Sequence, residues 1–409
     1  MRFPHASTPG PTGNGAGGHD RRRGGVVFLN WRDTSNPEGG GSELYVERIA
    51  AGLAAQGRPV TMVCAGWPGA PREEHRDGVR ILRRGSRLTV YLWAFLLHLG
   101  GRLGPHEVVV DVQNGLPFFS TLYTRRPVVV LCHHVHREQW QVLFPAPLAR
   151  LGWWVESRLA PLLYRRCHYV TVSGSTRREL IGLGVRAASI RIVRNGTEVP
   201  IPAGLGARSP FPSICILGRL VPHKRVELAL AAAARIRETV PDLQVFVAGQ
   251  GWWEARVRLA VSWLGMNDAV HLLGYVDDQL KDALLAQSWV LAMPSLKEGW
   301  GLAVLEAAGH GTPAVGFRAA GGLAESIVDE VTGLLADDTE ELGRQLARVL
   351  GDPGLRDRLG AAARTRAARF TWPAAAEAFA EVLDEATSRA RTGQVGAEPV
   401  GETIGRTVA

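Results

Sequence analysis

The sequence predicts an α/β protein made of two doubly wound domains that face each other across a cleft. Three observations predict it. Short apolar, β-branched runs recur without the polar alternation of a half-exposed strand, as expected for parallel strands buried on both faces. Segments with helical spacing of apolar residues separate these runs. The alternation stops near residue 196 and restarts at Ser213, and 409 residues suffice for two or three domains of ordinary size.

Residues 1–24 are rich in Gly, Pro, His and Arg and read as a disordered tail. The first domain, residues 25–203, opens with a strand at Val26–Asn30. A polar loop then leads to Gly39-Gly40-Gly41-Ser42-Glu43 and a helix over Leu44–Gln56, which Gly57 ends. Strand, glycine turn, helix is the order of a phosphate cradle, although the spacing is not that of the dinucleotide fingerprint. Further strands are expected at Val60–Cys64, Val79–Leu82, Glu107–Val112, Val128–Cys132, Tyr169–Ser173 and Ile190–Val193. Helices are expected at Leu88–Leu99, Pro147–Cys167 and Ser175–Leu183.

Residues 196–211 offer little to pack, and the linker proper is placed at 204–211. The second domain, residues 212–370, carries strands at Ser213–Leu217, Leu243–Ala248, Val270–Leu273, Trp289–Met293 and Ala314–Phe317. Its clearest helices are Val226–Thr239 and Leu280–Ala286. The last helical stretch runs from Glu340 to about Arg389, broken at Phe370-Thr371-Trp372-Pro373. Its final part, residues 371–389, is expected to pack back on the first domain, and residues 390–409 read as a second disordered tail.

A hydrophobic share of 46% fits a globular protein. The net charge of +8 suits anionic ligands or an anionic membrane surface and does not by itself argue for nucleic acid. The four cysteines (Cys64, Cys132, Cys167, Cys215) have no paired spacing and read as reduced thiols, which indicates a cytosolic compartment. No run approaches the roughly 18 apolar residues of a spanning helix.

The most informative stretch is Pro294 to Pro313. An apolar strand enters it, a loop with Glu298, Gly299, Trp300 and Gly301 follows, and then a short helix over Leu302–Ala308. Glu298 belongs to the loop and Glu306 to the helix, with both side chains edging one cleft. The free N–H groups of the helix start lie between them, after glycines that let the backbone approach a ligand. Unpaired donors and the positive end of the helix dipole suit a phosphate, and carboxylates suit sugar hydroxyls.

Gly218 to Arg225 follows the first strand of the second domain and contains Arg219 and Lys224. A planar fork and a point charge together match a diphosphate. In the first domain, Cys132-His133-His134-Val135-His136 follows a buried strand. Neighbouring histidines in an extended chain point opposite ways, and no further ligand stands at metal spacing, so one histidine facing the cleft is expected rather than a zinc site. No Asp-x-Asp occurs, so Arg219 and Lys224 are expected to do the work of a metal ion. Two segments suit an interfacial helix. Pro147–Cys167 carries Trp153, Trp154 and four arginines, and Leu88–Leu99 follows Arg83, Arg84 and Arg87. Core packing of both helices is the reading preferred on sequence alone.

These residues resemble the retaining GT-B glycosyltransferases, the group that includes bacterial α-mannosyltransferases and relatives of sucrose synthase and glycogen synthase. Lys297-Glu298-Gly299-Trp300-Gly301-Leu302, continuing to Glu306, is similar to the family's paired-glutamate motif. Gly218 to Lys224, Gly39 to Glu43, Val172-Ser173, Asn195-Gly196 and Gly249-Gln250-Gly251 stand where the family has counterparts. The resemblance covers about residues 25 to 387. It implies the GT-B fold, two Rossmann-like domains around a cleft. It also implies transfer of a sugar from a nucleoside-diphosphate sugar to an acceptor with retention.

By that resemblance Arg219, Lys224, Gly40 and Gly41 hold the donor diphosphate. Glu298 and the backbone of Gly299, Trp300, Gly301 and Leu302 hold the transferred sugar, and His133 or His134 faces it from the first domain. Glu306 binds the ribose, and Tyr275 and Val276 lie near the base. No cofactor or metal is implied. The acceptor would be a lipid-linked or polysaccharide sugar or a small molecule, and the protein cytoplasmic, with peripheral contact to the inner face of the membrane. Two departures stand out: Glu198 after Thr197 where the family often has Asp, and a histidine cluster in place of one histidine. A sugar-nucleotide epimerase on the same fold and a non-catalytic sugar-nucleotide-binding protein are the alternatives.

Overall fold

The computed structural model describes residues 24–198 and 207–392. The first sheet contains β1 (Val26–Leu29), β2 (Val60–Cys64), β3 (Glu73–Arg76), β4 (Val79–Arg83), β5 (Val108–Gln113), β6 (Val128–Cys132), β7 (His168–Thr171) and β8 (Ile190–Ile192). Their spatial order is β3-β4-β2-β1-β5-β6-β7-β8. All neighbours are parallel except β3, which pairs antiparallel with β4. The sequence reading missed β3 because Glu-Glu-His-Arg has no apolar signal; an edge strand needs none.

The second sheet contains β9 (Ser213–Leu217), β10 (Gln244–Ala248), β11 (Val270–Gly274), β12 (Val290–Met293), β13 (Ala314–Phe317) and β14 (Gly333–Ala336). It is fully parallel, in the order β11-β10-β9-β12-β13-β14. Both sheets therefore reverse direction beside their first strand, between β1 and β5 and between β9 and β12. In open α/β sheets such a switch point opens a crevice at the carboxyl ends of the strands. The loops after β1, β9 and β12 are the glycine loop, the Arg219–Lys224 turn and the Glu298 loop.

On one face of the first sheet, Phe28, Met62 and Val110 pack under the helix Gly41–Ala55 and the helix Trp372–Thr392. Phe28 and Phe379 have ring centroids 6.0 Å apart. A Cβ on Gly52 would stand 2.4 Å from Ala376 Cβ, so glycine sets how closely these helices cross. The opposite face packs Val27, Leu29 and Val109 against Val90, Ala94, Leu97, Ala160 and Tyr164. The second sheet has its own core.

Several local readings need correction. The helix after the glycine loop starts at Gly41, not Leu44, because the Glu43 side chain reaches back to accept from Gly40 N–H at 2.8 Å. The helix read over Pro147–Cys167 is composite: Ala146–Trp154, a wide π turn at Val155–Leu159, then Ala160–Leu163. Helices Arg137–Leu143 and Glu254–Trp263 and strand β14 were not foreseen. The C-terminal run also breaks at Asp352, which caps the helix Pro353–Ala367. Its last helix reaches Thr392, past the start of the tail read from residue 390. Residues 204–206 of the linker and most of both tails lie outside the described residues, but Arg208 is fixed rather than loose. It donates to Gly311 O at 2.5 Å, Thr312 Oγ1 at 2.6 Å and Ala286 O at 3.2 Å, and also to Ser288 O.

Candidate active site

The crevice between the two sheets holds a cavity of about 650 Å³ lined by both domains. All fourteen site residues read from the sequence line it, from Gly40, Gly41, His133 and His134 on one side to Arg219, Lys224, Tyr275, Val276, Glu298 to Leu302 and Glu306 on the other. Two helix starts meet there. A Cβ on Gly41 would stand 3.5 Å from Leu302 Cδ2, so the helices Gly41–Ala55 and Leu302–Gly309 bring their amino ends together. The N–H groups of Gly299, Trp300, Gly301 and Leu302 have no acceptor among the described residues. Gly301 caps its helix at φ 88°, a left-handed conformation that a side chain strains.

Close backbone packing shapes the walls. A Cβ on Gly249 would stand 1.9 Å from Gly218 O, and one on Gly299 would stand 2.6 Å from His133 O. The second contact crosses between domains. Glycine at these positions lets the backbones themselves line the cavity.

Two lysine–glutamate pairs line the cavity. Lys224 Nζ donates to Glu298 Oε1 at 2.6 Å, and Lys281 Nζ donates to Glu306 Oε1 at 3.0 Å. Lys281 also donates to Asp278 Oδ1 at 2.8 Å. Burial works against the Lys281 ammonium, but Glu306 and Asp278 outweigh it and hold its pKa above the usual lysine value. Sequence reasoning missed Lys281: it lies 25 residues from Glu306, and no local pattern joins them.

Arg219 differs, because no carboxylate pairs with it among the described residues. Its Nη1 donates to the backbone oxygen of Glu38 at 3.2 Å. Burial and the neighbouring Arg32 both lower its pKa from the usual guanidinium value, although Glu43 and Glu38 oppose them. Glu43 is itself fully buried, accepting from Gly40 N–H, Ser42 Oγ at 3.0 Å and Trp31 Nε1 at 3.1 Å. Burial works against this carboxylate, yet Arg32 and Arg219 hold its pKa below the ordinary range. Glu43 thus fixes the glycine loop and sets a buried negative charge near Arg219 without pairing with it directly. The signal for it in the sequence was a glutamate three residues into a helix.

The histidine cluster divides three ways. His133 is buried against the edge of Tyr45, with centroids 5.1 Å apart, and its Nε2 has no partner among the described residues. Burial pushes its pKa down to about 4, so the ring is neutral at pH 7. His134 Nε2 bonds Gln139 Oε1 at 3.1 Å, and burial also lowers its pKa. His136 turns away, to Glu156 at 3.0 Å. His223, unnoticed as an individual residue, also lines the cavity, and burial with Lys224 and Arg219 pushes its pKa down to about 3.

Some motif residues hold the domains together. Trp300 belongs to the second domain, yet its indole is buried in the first domain's core, T-shaped against Phe370 and beneath Arg194. Only its backbone is left to meet a ligand. Lys297 bonds Glu179 and lies 3.7 Å from Glu138, both in the first domain. Glu325 accepts from Gly174 N at 2.9 Å and Ser175 N at 2.5 Å, capping a first-domain helix, Gly174–Gly182, from the second domain. Glu198 points elsewhere, to Arg48 at 2.8 Å.

The family Glycosyltransferase Family 4 matches residues 39–199, and Glycosyl transferases group 1 matches residues 201–366. The chain belongs to the GT-B glycosyltransferases. This glycosyltransferase is 35% identical to the D-inositol 3-phosphate glycosyltransferase of Salinispora arenicola, over 43% of this chain and 41% of that one, so the match spans less than half of the relative. In fold it is similar to the sucrose-phosphate synthase of Thermosynechococcus elongatus, with a TM-score of 0.76 at 21% identity over 90% of this chain and 100% of that one. It is also similar to the Anabaena HepE protein solved with UDP-glucose, with a TM-score of 0.69 at 18% identity over 88% and 100% of the two chains.

Proposed function

We propose that this glycosyltransferase moves a sugar from a nucleoside-diphosphate sugar to an acceptor hydroxyl with retention of anomeric configuration, and that it needs no metal ion to do so. The observation that carries the reading is an under-compensated Arg219 beside two converging helix starts, with Glu298 and Glu306 on the same cavity wall. The guanidinium and the unpaired N–H groups suit a diphosphate. Lys224 has three donors, so one ammonium can bridge Glu298 and a phosphate oxygen. Glu306, oriented by Lys281, suits the paired hydroxyls of a ribose, and Tyr275 and Val276 line the same cavity. The neutral His133 offers a buried ring nitrogen to a sugar hydroxyl.

In this reading the bond from the anomeric carbon to the diphosphate breaks first. Negative charge grows on the leaving oxygen, where Arg219, Lys224 and the helix starts act most strongly. The acceptor oxygen attacks from the face the diphosphate leaves, and its proton passes to the departing phosphate oxygen. No side chain is assigned as a covalent nucleophile.

The test is a thermal-shift panel of UDP-, GDP- and ADP-sugars, followed by NMR of the anomeric centre in the product. A stabilising donor, an α-product from an α-donor and unchanged turnover in EDTA are expected. Arg219→Ala should weaken donor binding about 10- to 100-fold, and Glu298→Ala should reduce kcat/KM by about 100-fold or more. Inverted product overturns retention, activity lost in EDTA overturns metal independence, and wild-type kinetics in both variants overturn the site.

A further inference from the structure

We propose that the outer face of the first domain built from the helix Val90–Leu99 and the helical segment 146–163 docks on an anionic lipid bilayer. The inner sides of both segments pack on the same face of the first sheet. Their outer sides are not packed. Leu88 (81% exposed), Leu92, Leu96 and Leu99 (64%) follow one another at helical spacing along the first segment, with Trp93 beside them. Leu148, Leu151, Trp154 (53%) and Leu162 are exposed along the second. Core packing, the reading preferred on sequence, therefore describes only half of each helix. Among the described residues no helix is long and apolar enough to cross a membrane, so the contact is with the bilayer's surface.

Charge selects the occupant. Residues 78–178 contain fourteen arginines, no lysine and four acidic residues, a net charge of +10 against +8 for the whole chain. Two of those acids, Asp111 and Glu156, are buried. Arg87, Arg150, Arg158, Arg165 and Arg166 are exposed and have no carboxylate partner among the described residues. Arg158 and Arg165 are interspersed along the chain with the exposed Leu151, Trp154 and Leu162, so exposed cations and exposed apolar side chains come from the same short segment. A second copy of this face would bring like charges together, which opposes self-pairing, whereas anionic headgroups complement it. Tryptophan and leucine beside arginine suit the headgroup–acyl boundary. The face is linked through Trp31 to the glycine loop beside the cavity. Arg87 lies 5.0 Å from the Trp31 ring, and Trp31 Nε1 bonds Glu43 at the glycine loop.

The proposal does not depend on the transfer reaction, and its test does not read activity. The full chain is pelleted with vesicles of phosphatidylcholine alone or of phosphatidylcholine with phosphatidylglycerol, at low and high salt. Pelleting with the anionic vesicles only, weakened by salt, is expected. Arg158→Gln with Arg165→Gln should lower the partition coefficient by about fivefold per charge removed. Leu92→Glu with Leu96→Glu should lower it more than about tenfold, with the unfolding midpoint unchanged because both side chains are exposed. No pelleting with anionic vesicles, equal pelleting with both kinds, or wild-type binding in both double variants overturns the proposal. So does a dimer that the variants disrupt without any vesicle binding, which would assign the face to a second copy.

Discussion

Lys281, which no local pattern marks, and His133, one of three clustered histidines, show how much of the cleft depends on single side chains. Lys281 touches the cavity but is bound mainly to Glu306 and Asp278, so it acts as a positioning residue for the Glu306 carboxylate. Lys281→Met keeps most of the apolar stem and removes the charge. It should weaken binding of a nucleoside diphosphate about tenfold while leaving affinity for a ribose-free pyrophosphate nearly unchanged. Equal losses for both ligands, read by calorimetry, would remove Lys281 from this role. His133 sets a pH dependence. Its pKa is about 4 in the fold against an ordinary 6.5, and that of His223 is about 3. An unfolded chain therefore takes up protons that the fold refuses as pH drops below about 6.5. The stability these neutral rings contribute is complete above that value and is lost as pH falls toward about 4. Urea unfolding at pH 7 and pH 5 should differ by about 2 kcal/mol from His133 alone, and His133→Gln should shrink that difference by as much. An unchanged difference would place His133 in water.

At the scale of elements, helix starts do most of the positioning. The helices Gly41–Ala55 and Leu302–Gly309 aim unpaired N–H groups at the cavity, whereas the helix Gly174–Gly182 has its start occupied by Glu325 from the other domain. That difference separates a site from a joint: one start is open toward the cavity and the other is already satisfied by protein. Glu325→Ala should cost about 1 kcal/mol. In hydrogen exchange, the amides of Gly174 and Ser175 should lose protection before the rest of the first domain. Unaltered exchange at these amides would mean that the cap is not held in solution.

The whole molecule is two domains stitched at several points. Trp300 sits in the opposite domain's core, and Lys297 bonds Glu179 across the gap. The last helix returns to the first domain, where Asp384 pairs with Arg58 at 2.5 Å and Glu385 with Arg191 at 3.2 Å. Two chain crossings and a buried indole therefore set the width of the cavity. Trp300→Ala removes one of the largest fully buried side chains and should cost about 3–5 kcal/mol. If its role is to join the domains, small-angle scattering should show a larger radius of gyration with far-UV dichroism retained. An unchanged scattering curve and melting midpoint would show that the other contacts suffice.

Continuous runs such as Val128–Cys132 and Ser213–Leu217 made the two parallel sheets legible before any coordinates, because burial on both faces leaves a local mark on composition. The glycines and glutamates after β1, β9 and β12 were legible for the same reason: close backbone approach and helix capping are short-range demands. Polar β3 left no such mark, and neither did the partners of Glu306, Arg219 and Trp300. Those contacts join residues far apart in the chain, where attraction between charges or the filling of a core depends on distance in space alone. Sequence determined which loops gather at the cavity. The tertiary structure decided which lysine steadies each carboxylate, which arginine is left short of a partner, and that Trp300 holds the domains together rather than lining the cavity with its ring.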